Sequence, residues 1–224
     1  MTEERTVVVV ATLDTKGEEA AYVRDHVAAW GLATLLIDPG VLAEPTVEAD
    51  ISRHEVARAA GATLEALLAQ GDKGYAIATQ TQGLCNIVTD LYDRGTLQGI
   101  VGLGGGQGTS IGTAAMRSLP TGVPKLMLST VASGLFQFGP YVGTKDICMM
   151  HSVTDVLGLN VISRPILRNA ANAIAGMVWR LEAEAPATRP AIATTMLGIT
   201  TPCVMQVKAK LESLGYDVVP FHAN

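Results

Sequence analysis

The strongest constraint on the fold is a run of mostly β-branched residues, TVVVVA, at positions 6–11. A strand that is apolar at nearly every position is typical of a parallel sheet buried on both faces. Residues 17–30 then predict a helix and residues 33–38 a second strand, so the chain opens with a βαβ unit. Such units join parallel strands by right-handed crossovers. We therefore predict an α/β fold.

The composition of the 224-residue chain agrees with a buried sheet covered by helices. Hydrophobic residues make up 48% of the chain and charged residues only 17%. The formal net charge of −5 argues against nucleic acid as a ligand, because phosphate backbones require a basic surface. A small phosphorylated ligand is compatible with this charge, since backbone N–H groups bind anions without net positive charge.

The sequence shows no pattern typical of metal binding, secretion or membrane insertion. The cysteines (Cys85, Cys148 and Cys203) form no Cys-x-x-Cys pair, and the four histidines are isolated from one another. Neither a disulfide framework nor a zinc site is therefore indicated. The N-terminus lacks a secretory signal, and no apolar run reaches membrane-spanning length. We expect a cytoplasmic protein that does not bind membranes.

Strands and helices continue to alternate through the first domain. Residues 99–103 and 125–129 predict two further strands, and SRHE from Ser52 to Glu55 predicts a capping box at a helix start. Segment 130–160 is less periodic, and loops of this size are commonly functional. Further helices are predicted over residues 72–92, 109–118 and 164–181.

A second domain is predicted after the linker-like sequence EAEAPATRP at 182–190. A strand–helix–strand pattern restarts there. We predict a three-layer sandwich with a mostly parallel, Rossmann-like sheet over residues 1–184. Residues 185–224 would hold a linker and the opening βαβ unit of a second α/β domain. A lone βαβ unit exposes apolar surface and a sheet edge, so we expect a homodimer or higher oligomer. The predicted elements of this unit span residues 191–196, 201–214 and 217–221.

The main candidate for binding is the sequence GLGGGQGTS at 102–110, between a predicted strand and a predicted helix. At such a junction, free backbone N–H groups and the positive end of the helix dipole face outward together. The run lacks the lysine of a Walker A loop and does not fit G-x-G-x-x-G. A tight crossover is the alternative, but five glycines in seven residues exceed what a crossover needs. The proposed phosphate ligands are the backbone amides of Gly104, Gly105, Gly106 and Gly108 and the hydroxyls of Thr109 and Ser110.

Two other predicted strand ends carry polar residues. After the first strand, Asp14 would hold Mg²⁺ through water or accept from a ribose hydroxyl, and Lys16 would neutralise a phosphate. Asp14 or Thr15 would equally serve as the cap of the following helix, and we favour a cap that also contacts the ligand. After the fourth strand, Ser133 and Gly134 would close the third side of the site. An ordinary turn is the alternative there.

These segments resemble the Tm-one-like ATP-binding family, which is named for a tomato mosaic virus resistance protein. The resemblance covers nearly the whole chain, in the same order and spacing. It runs through TLDTKGEE at 12–19, GLGGGQGTS at 102–110, LPTGVPKLMLSTVASG at 119–134, YVGTKDI at 141–147, SVTDVLGLNVIS at 152–163, NAANAIAGMV at 169–178 and TMLGITTPCV at 195–204.

The resemblance implies ATP, alone or with Mg²⁺, as the ligand of the N-terminal region. It implies that the family chain continues past Asn224, so we expect an N-terminal fragment, a truncation or a subunit of a split gene. Expected partners are then a second-domain subunit or the barrel protein that often accompanies bacterial members. The plant member's binding to a viral replication protein does not follow from shared motifs.

Two departures from the family pattern fall, in our interpretation, on the phosphate site. Gly106 and Gln107 replace the family's Ser-Gly pair, and the segment 135–140 is a few residues longer than usual. Both departures are expected to affect the affinity for the nucleotide or its identity.

Two functional classes fit the sequence. One is a nucleotide-binding domain with little turnover of its own. The other is an ATP-dependent enzyme for phosphoryl transfer or ligation on a small carboxylate, completed by a second domain or partner. The glycine loop, Asp14 and Lys16 would supply half of such an active site. The sequence offers no evident base or second lysine, so it favours binding, and we assign no catalytic residue.

Overall fold

The computed structural model of the protein describes residues 5–134, 138–182 and 188–223. The chain divides into two compact units, Met1–Leu181 and Glu182–Asn224. The first contains a five-stranded sheet and the second a two-stranded sheet, and every strand pair in both is parallel. The predicted α/β class and parallel sheet are confirmed.

The sheet of the first unit has the order β2-β1-β3-β4-β5. Its strands are β1 Thr6–Val10, β2 Ala33–Ile37, β3 Gly99–Gly104, β4 Lys125–Ser129 and β5 Cys148–His151. All five strands run in one direction, so their carboxyl ends lie along one edge of the sheet. Strand β2 lies on one side of β1, and β3 to β5 are added on the other side. The direction of strand addition therefore reverses between β1 and β3.

Helices cover both faces of this sheet. They are α1 Leu13–Ala28, α2 Arg53–Ala59, α3 Leu64–Ala69, α4 Lys73–Asp93, α5 Gly106–Ser118, α6 Gly139–Val142 and α7 Ser163–Trp179. Helices α1 and α7 pack in one core cluster with Val7 and Val9 of β1. Helices α4 and α5 pack in another with Val8 and Val10. Successive valines of β1 therefore point into opposite layers, which explains why the whole strand is apolar.

The second unit contains one strand–helix–strand motif. It consists of β6 Ala191–Met196, a 3₁₀ turn Gly198–Thr200, α8 Thr201–Ser213 and β7 Asp217–His222. The first strand is the one predicted, and the second is one residue longer than predicted. Several apolar side chains of this unit are exposed, among them Ile199, Met205 and Phe221.

Some local predictions are confirmed and others are wrong. The capping box is present, because Ser52 N donates to Glu55 and Glu55 N donates to the Ser52 hydroxyl. Strand β5 lies within the segment 130–160, for which we predicted a loop. Helix α5 begins three residues earlier than predicted, at Gly106. Among the described residues, no helix combines the length and apolar character needed to cross a bilayer.

Candidate functional site

The candidate site lies where the order of the sheet reverses. Strands β1 and β3 are neighbours, with Val10 paired to Gly102, yet the helices that follow them lie on opposite faces of the sheet. The loops after the two strands therefore separate and leave a crevice at the carboxyl edge. In open α/β sheets this is the position at which ligands bind.

Helix α5 begins directly at this crevice. Gly105 is its N-cap and offers no side chain to the first turn, which also contains no acidic residue. Within the described part of the chain, the N–H groups of Gly106, Gln107 and Gly108 have no hydrogen-bond acceptor. Three unpaired N–H groups at the positive end of a 13-residue helix form a surface suited to an anion.

Packing explains two of the loop glycines. A Cβ atom on Gly104 would lie 2.7 Å from the Cα of Gly108, and a Cβ atom on Gly108 would lie 3.2 Å from the Leu103 carbonyl oxygen. Both glycines therefore allow the first turn of α5 to pack against the end of β3. Their presence follows from the fold alone.

Packing does not explain Gly105 and Gly106. Gly105 has φ −80° and ψ −157°, which any residue adopts. A Cβ atom there would meet only the Thr130 hydroxyl, at an ordinary 3.7 Å, and one on Gly106 would have nothing within 4 Å among the described residues. Neither residue has a positive φ. The space above both residues is open to the crevice.

The structure corrects the role of one hydroxyl in the loop. The Thr109 side chain was predicted to face a phosphate, but it is fully buried, and its Oγ1 lies 2.7 Å from the Gly105 carbonyl oxygen and 2.6 Å from Ser129 Oγ. It lies beneath the loop because Thr109 begins the second turn of α5 and faces β4. Ser110 is exposed, and its hydroxyl donates to the Gly106 carbonyl at 3.1 Å.

The residues after β1 lie inside the first turn of α1. The helix begins at Leu13 with Thr12 as its N-cap, so Asp14 and Thr15 are not the cap residues that we predicted. Asp14 Oδ2 accepts from the N–H groups of Leu42 and Ala43, both at 3.2 Å. Its Oδ1 is buried and has no partner among the described residues.

Lys16 lies at a distortion in α1. Its φ of −129° and ψ of 19° are not helical. Among the described residues its ammonium group forms no ion pair. Thr15 is exposed beside it, with its hydroxyl 3.2 Å from that of Thr12. The charge of Lys16 is therefore available to a ligand.

The sequence reasoning missed Asp38, at the end of β2. Its Oδ1 accepts from Leu13 N at 3.1 Å and from Gly40 N at 2.8 Å, so this carboxylate caps α1. Burial raises the pKa of Asp38 above its usual value, and the nearby Asp14 adds to the rise, while the two N–H groups and Arg53 oppose it. The signal in the sequence was an acidic residue directly after the second strand of a βαβ unit.

The loop after β4 begins beside the glycine loop. Gly104 and Ser129 are paired across β3 and β4, and Thr130 N donates to the Gly104 carbonyl at 3.3 Å. Ser133 Oγ is buried without a partner among the described residues, and Gly134 is exposed with φ +71°. The hydroxyl of Thr130, which we did not assign, would lie 3.7 Å from a Cβ atom on Gly105.

The segment 135–140, which we expected to affect the phosphate site, is described only in part. Residues 135–137 lie outside the described residues. Pro140 lies at the other end of α5, where its carbonyl is 3.4 Å from Arg117 Nη1. Arg117 lies eleven positions after Gly106 in this helix, which is about 16 Å along its axis. Asp146 is also far from the crevice. It pairs with the buried Lys125 at the amino end of β4, whereas the crevice lies at the carboxyl ends of the strands.

The described residues contain no group of three or more His, Cys, Asp or Glu side chains arranged to hold a metal ion. Among the described residues, Asp14 Oδ1 is a buried carboxylate oxygen without a partner. A magnesium ion in such a site keeps most of its waters and is held mainly by ligand phosphates. Asp14 therefore fits a cation that arrives with a polyphosphate.

Comparison with known proteins identifies the family. Residues 5–183 match the N-terminal domain of the uncharacterised protein family UPF0261, and residues 189–224 match its C-terminal domain. The chain belongs to this family. The two matched regions divide close to the boundary between the two compact units, which falls between Leu181 and Glu182.

Relatives of the UPF0261 chain occur in bacteria and in a plant. A UPF0261 protein of Rhizobium meliloti is 48% identical over 217 residues, which are 97% of this chain and 52% of the relative. One from Clostridium tetani is 44% identical over 97% of this chain and 53% of its own length. The ToMV resistance protein Tm-1(GCR237) of Solanum lycopersicum is 43% identical over 67% of this chain and 20% of its own length. The chain therefore spans about half the length of these bacterial relatives.

Proposed function

We propose that the first unit binds a nucleotide, with its phosphate groups on the amino end of α5. The observation that carries the proposal is the open space above Gly105 and Gly106. Neither packing nor a positive φ requires glycine at these two positions, yet side chains there would occupy the crevice. A ligand that approaches the backbone closely accounts for both glycines.

The hydrogen-bond donors of the crevice support a phosphate ligand. The N–H groups of Gly106, Gln107 and Gly108 supply three donors from one helix end. Lys16 would add a full positive charge from the neighbouring strand end, and the Thr130 hydroxyl a further donor from β4. Ser110, Ser133 and Gly134 would border this surface, whereas Thr109 supports it from below. These groups match the acceptor-only oxygens of phosphate.

ATP is the nucleotide that we propose, because the motifs of the chain resemble an ATP-binding family. Mg²⁺ would accompany the polyphosphate, held in part through water by Asp14, and would neutralise part of the negative charge. The cation would thus offset the repulsion between the Asp14 carboxylate and phosphate. We propose that this chain binds ATP and has little ATP turnover of its own.

Equilibrium titration with a series of ligands tests this proposal. We expect affinity to rise in the order adenosine, AMP, ADP and ATP, because each phosphate adds charge-assisted hydrogen bonds. Tripolyphosphate should compete with ATP, since the proposal places the main contacts on phosphate. Equal affinity for adenosine and ATP would contradict it. Rapid release of phosphate from ATP by this chain alone would instead favour the alternative, an ATP-dependent enzyme.

A further inference from the structure

Two hydroxyl groups lie together beneath the glycine loop. Thr109 and Ser129 are both 0% exposed, and their oxygens are 2.6 Å apart. Thr109 belongs to α5 and Ser129 to the last position of β4. The pair therefore links the amino end of the helix to the strand end beside it.

The surrounding groups decide which hydroxyl donates. Thr109 Oγ1 lies 2.7 Å from the Gly105 carbonyl oxygen, which can only accept a proton. Ser129 Oγ accepts from Val131 N at 3.0 Å, and Thr109 Oγ1 is its only acceptor among the described residues. Both protons are used only if Ser129 donates to Thr109 and Thr109 donates to Gly105. The result is a directed chain from Val131 N–H through the two hydroxyls to the Gly105 carbonyl.

The last acceptor of this hydrogen-bonded chain belongs to the peptide unit whose N–H group faces the proposed phosphate. The Gly105 carbonyl and the Gly106 N–H belong to one planar, trans peptide unit, so they point in opposite directions. The carbonyl points into α5, where it also accepts from Thr109 N at 2.8 Å. The Gly106 N–H therefore points out of the helix end. Hydrogen bonds to a carbonyl polarise its peptide unit and strengthen the N–H as a donor.

We infer that Thr109 and Ser129 are positioning residues, which aim and polarise the Gly106 N–H toward a phosphate oxygen of the ligand. This inference rests on the proposed function. It assigns the buried hydroxyls a role in affinity without contact to the ligand. A purely structural role would stabilise the loop but would leave the donor strength of Gly106 unchanged.

A set of buried substitutions separates the two roles. Thr109→Val removes the hydroxyl at nearly constant volume, and Thr109→Ser keeps it. Thr113→Val is the matched control, because Thr113 is also 0% exposed in α5 and donates to a carbonyl four residues earlier at 2.7 Å. Its acceptor is the Thr109 carbonyl, whose peptide unit carries the Ser110 N–H inside the helix. Ser129→Ala removes the hydroxyl that donates to Thr109 and so interrupts the chain of hydrogen bonds before Thr109.

We expect Thr109→Val to weaken ATP and tripolyphosphate binding by about tenfold, the scale of one hydrogen bond. Thr109→Ser should restore the affinity, and Thr113→Val should leave it unchanged. Combining Thr109→Val with Ser129→Ala should add little further loss, since both interrupt one chain. In the ligand-free protein, the Gly106 amide proton resonance should move upfield in Thr109→Val and Ser129→Ala but not in Thr113→Val.

The outcomes separate this inference from the proposed function. If the wild type binds ATP, and Thr109→Val binds it equally well with an unmoved Gly106 resonance, the inference is overturned and the proposed function stands. If the wild type binds neither ATP nor tripolyphosphate, the proposed function fails. The ligand-free Gly106 resonance then still decides whether the hydroxyl chain polarises this peptide. Should Thr109→Val fail to fold, Ser129→Ala provides the same two measurements.

Discussion

The backbones of Gly104 and Gly108 approach so closely that a Cβ atom on Gly104 would lie 2.7 Å from the Cα of Gly108. The contact joins the last residue of β3 to the first turn of α5. It sets the position of the helix end, and with it the position of the three N–H groups that face the crevice. The glycines of the loop therefore divide into those that the fold requires and those that the crevice leaves open.

This division predicts opposite effects on stability within one loop. Gly104→Ala should destabilise the protein by about 1–3 kcal/mol, because backbone atoms must move to admit the methyl group. Gly106→Ala should be neutral or stabilising by up to about 1 kcal/mol, since alanine favours helix and nothing described lies within 4 Å. Urea unfolding of both variants measures the difference. Equal destabilisation would show that Gly106 is also a packing residue.

A second prediction concerns the charge of Lys16. Lys16→Ala should weaken ATP binding by about 1–3 kcal/mol, the scale of a charge-assisted hydrogen bond. The loss should shrink as salt concentration rises, because exposed charges are screened. Lys210→Ala is the control, since it removes the same charge from an exposed position in the second unit. Titration calorimetry at low and high salt makes the comparison, and equal effects of the two variants would assign Lys16 no specific role.

A third prediction follows from the buried Asp38. Burial raises the pKa of Asp38 in the folded protein above its usual 3.8. The stability that the protonated group provides is therefore fully present below its unfolded pKa and is lost as pH rises through the folded pKa. Asp38→Asn keeps an oxygen for Leu13 N and Gly40 N but cannot ionise.

The wild type should therefore lose stability relative to Asp38→Asn as pH rises above the usual pKa of 3.8. Urea unfolding of both proteins across this range gives the difference in free energy of unfolding. A difference that does not change with pH would show that Asp38 titrates alike in the folded and unfolded chains.

A fourth prediction concerns assembly. The second unit exposes apolar side chains at Ile199, Met205 and Phe221. We propose that a second copy of the chain covers them, because exposed apolar surface of this kind favours association. Sedimentation over a range of concentrations should show a dimer or a higher oligomer. A protein that stays monomeric at high concentration would contradict this proposal.

Much of the fold could be predicted from local sequence patterns. The valine run predicts the buried strand β1 from its β-branched residues alone, and the capping box forms between Ser52 and Glu55, three positions apart. Strand β5 could not be predicted in the same way. Its sequence, CMMH, has no β-branched residue, and it becomes a strand only by pairing with Leu126–Ser129 of β4.

The parts of the candidate site were predictable, but their roles depended on the fold. The glycine loop and the residues after β1 were recognised because each follows a predicted strand. The sequence does not show that Thr109 faces Ser129, because these residues are brought together only when β4 pairs with β3. The sequence also does not show that Asp38 caps α1, since that contact joins residues 25 positions apart.

The central claim is that a nucleotide's phosphates lie against the backbone of Gly105 and Gly106. Gly105→Val tests it most directly, because the extended backbone accepts valine and a Cβ atom there meets, of the described residues, only Thr130, at 3.7 Å. Gly176→Ala is the control, since a Cβ atom on this helical glycine of α7 also has nothing described within 4 Å.

The decisive measurement is isothermal titration of ATP into the wild type and these two variants, with the melting temperature of each recorded. We predict that the wild type and Gly176→Ala bind ATP with equal affinity, and that Gly105→Val keeps its fold and loses binding. Wild-type affinity in a folded Gly105→Val, or the absence of ATP binding by the wild type, would contradict the account.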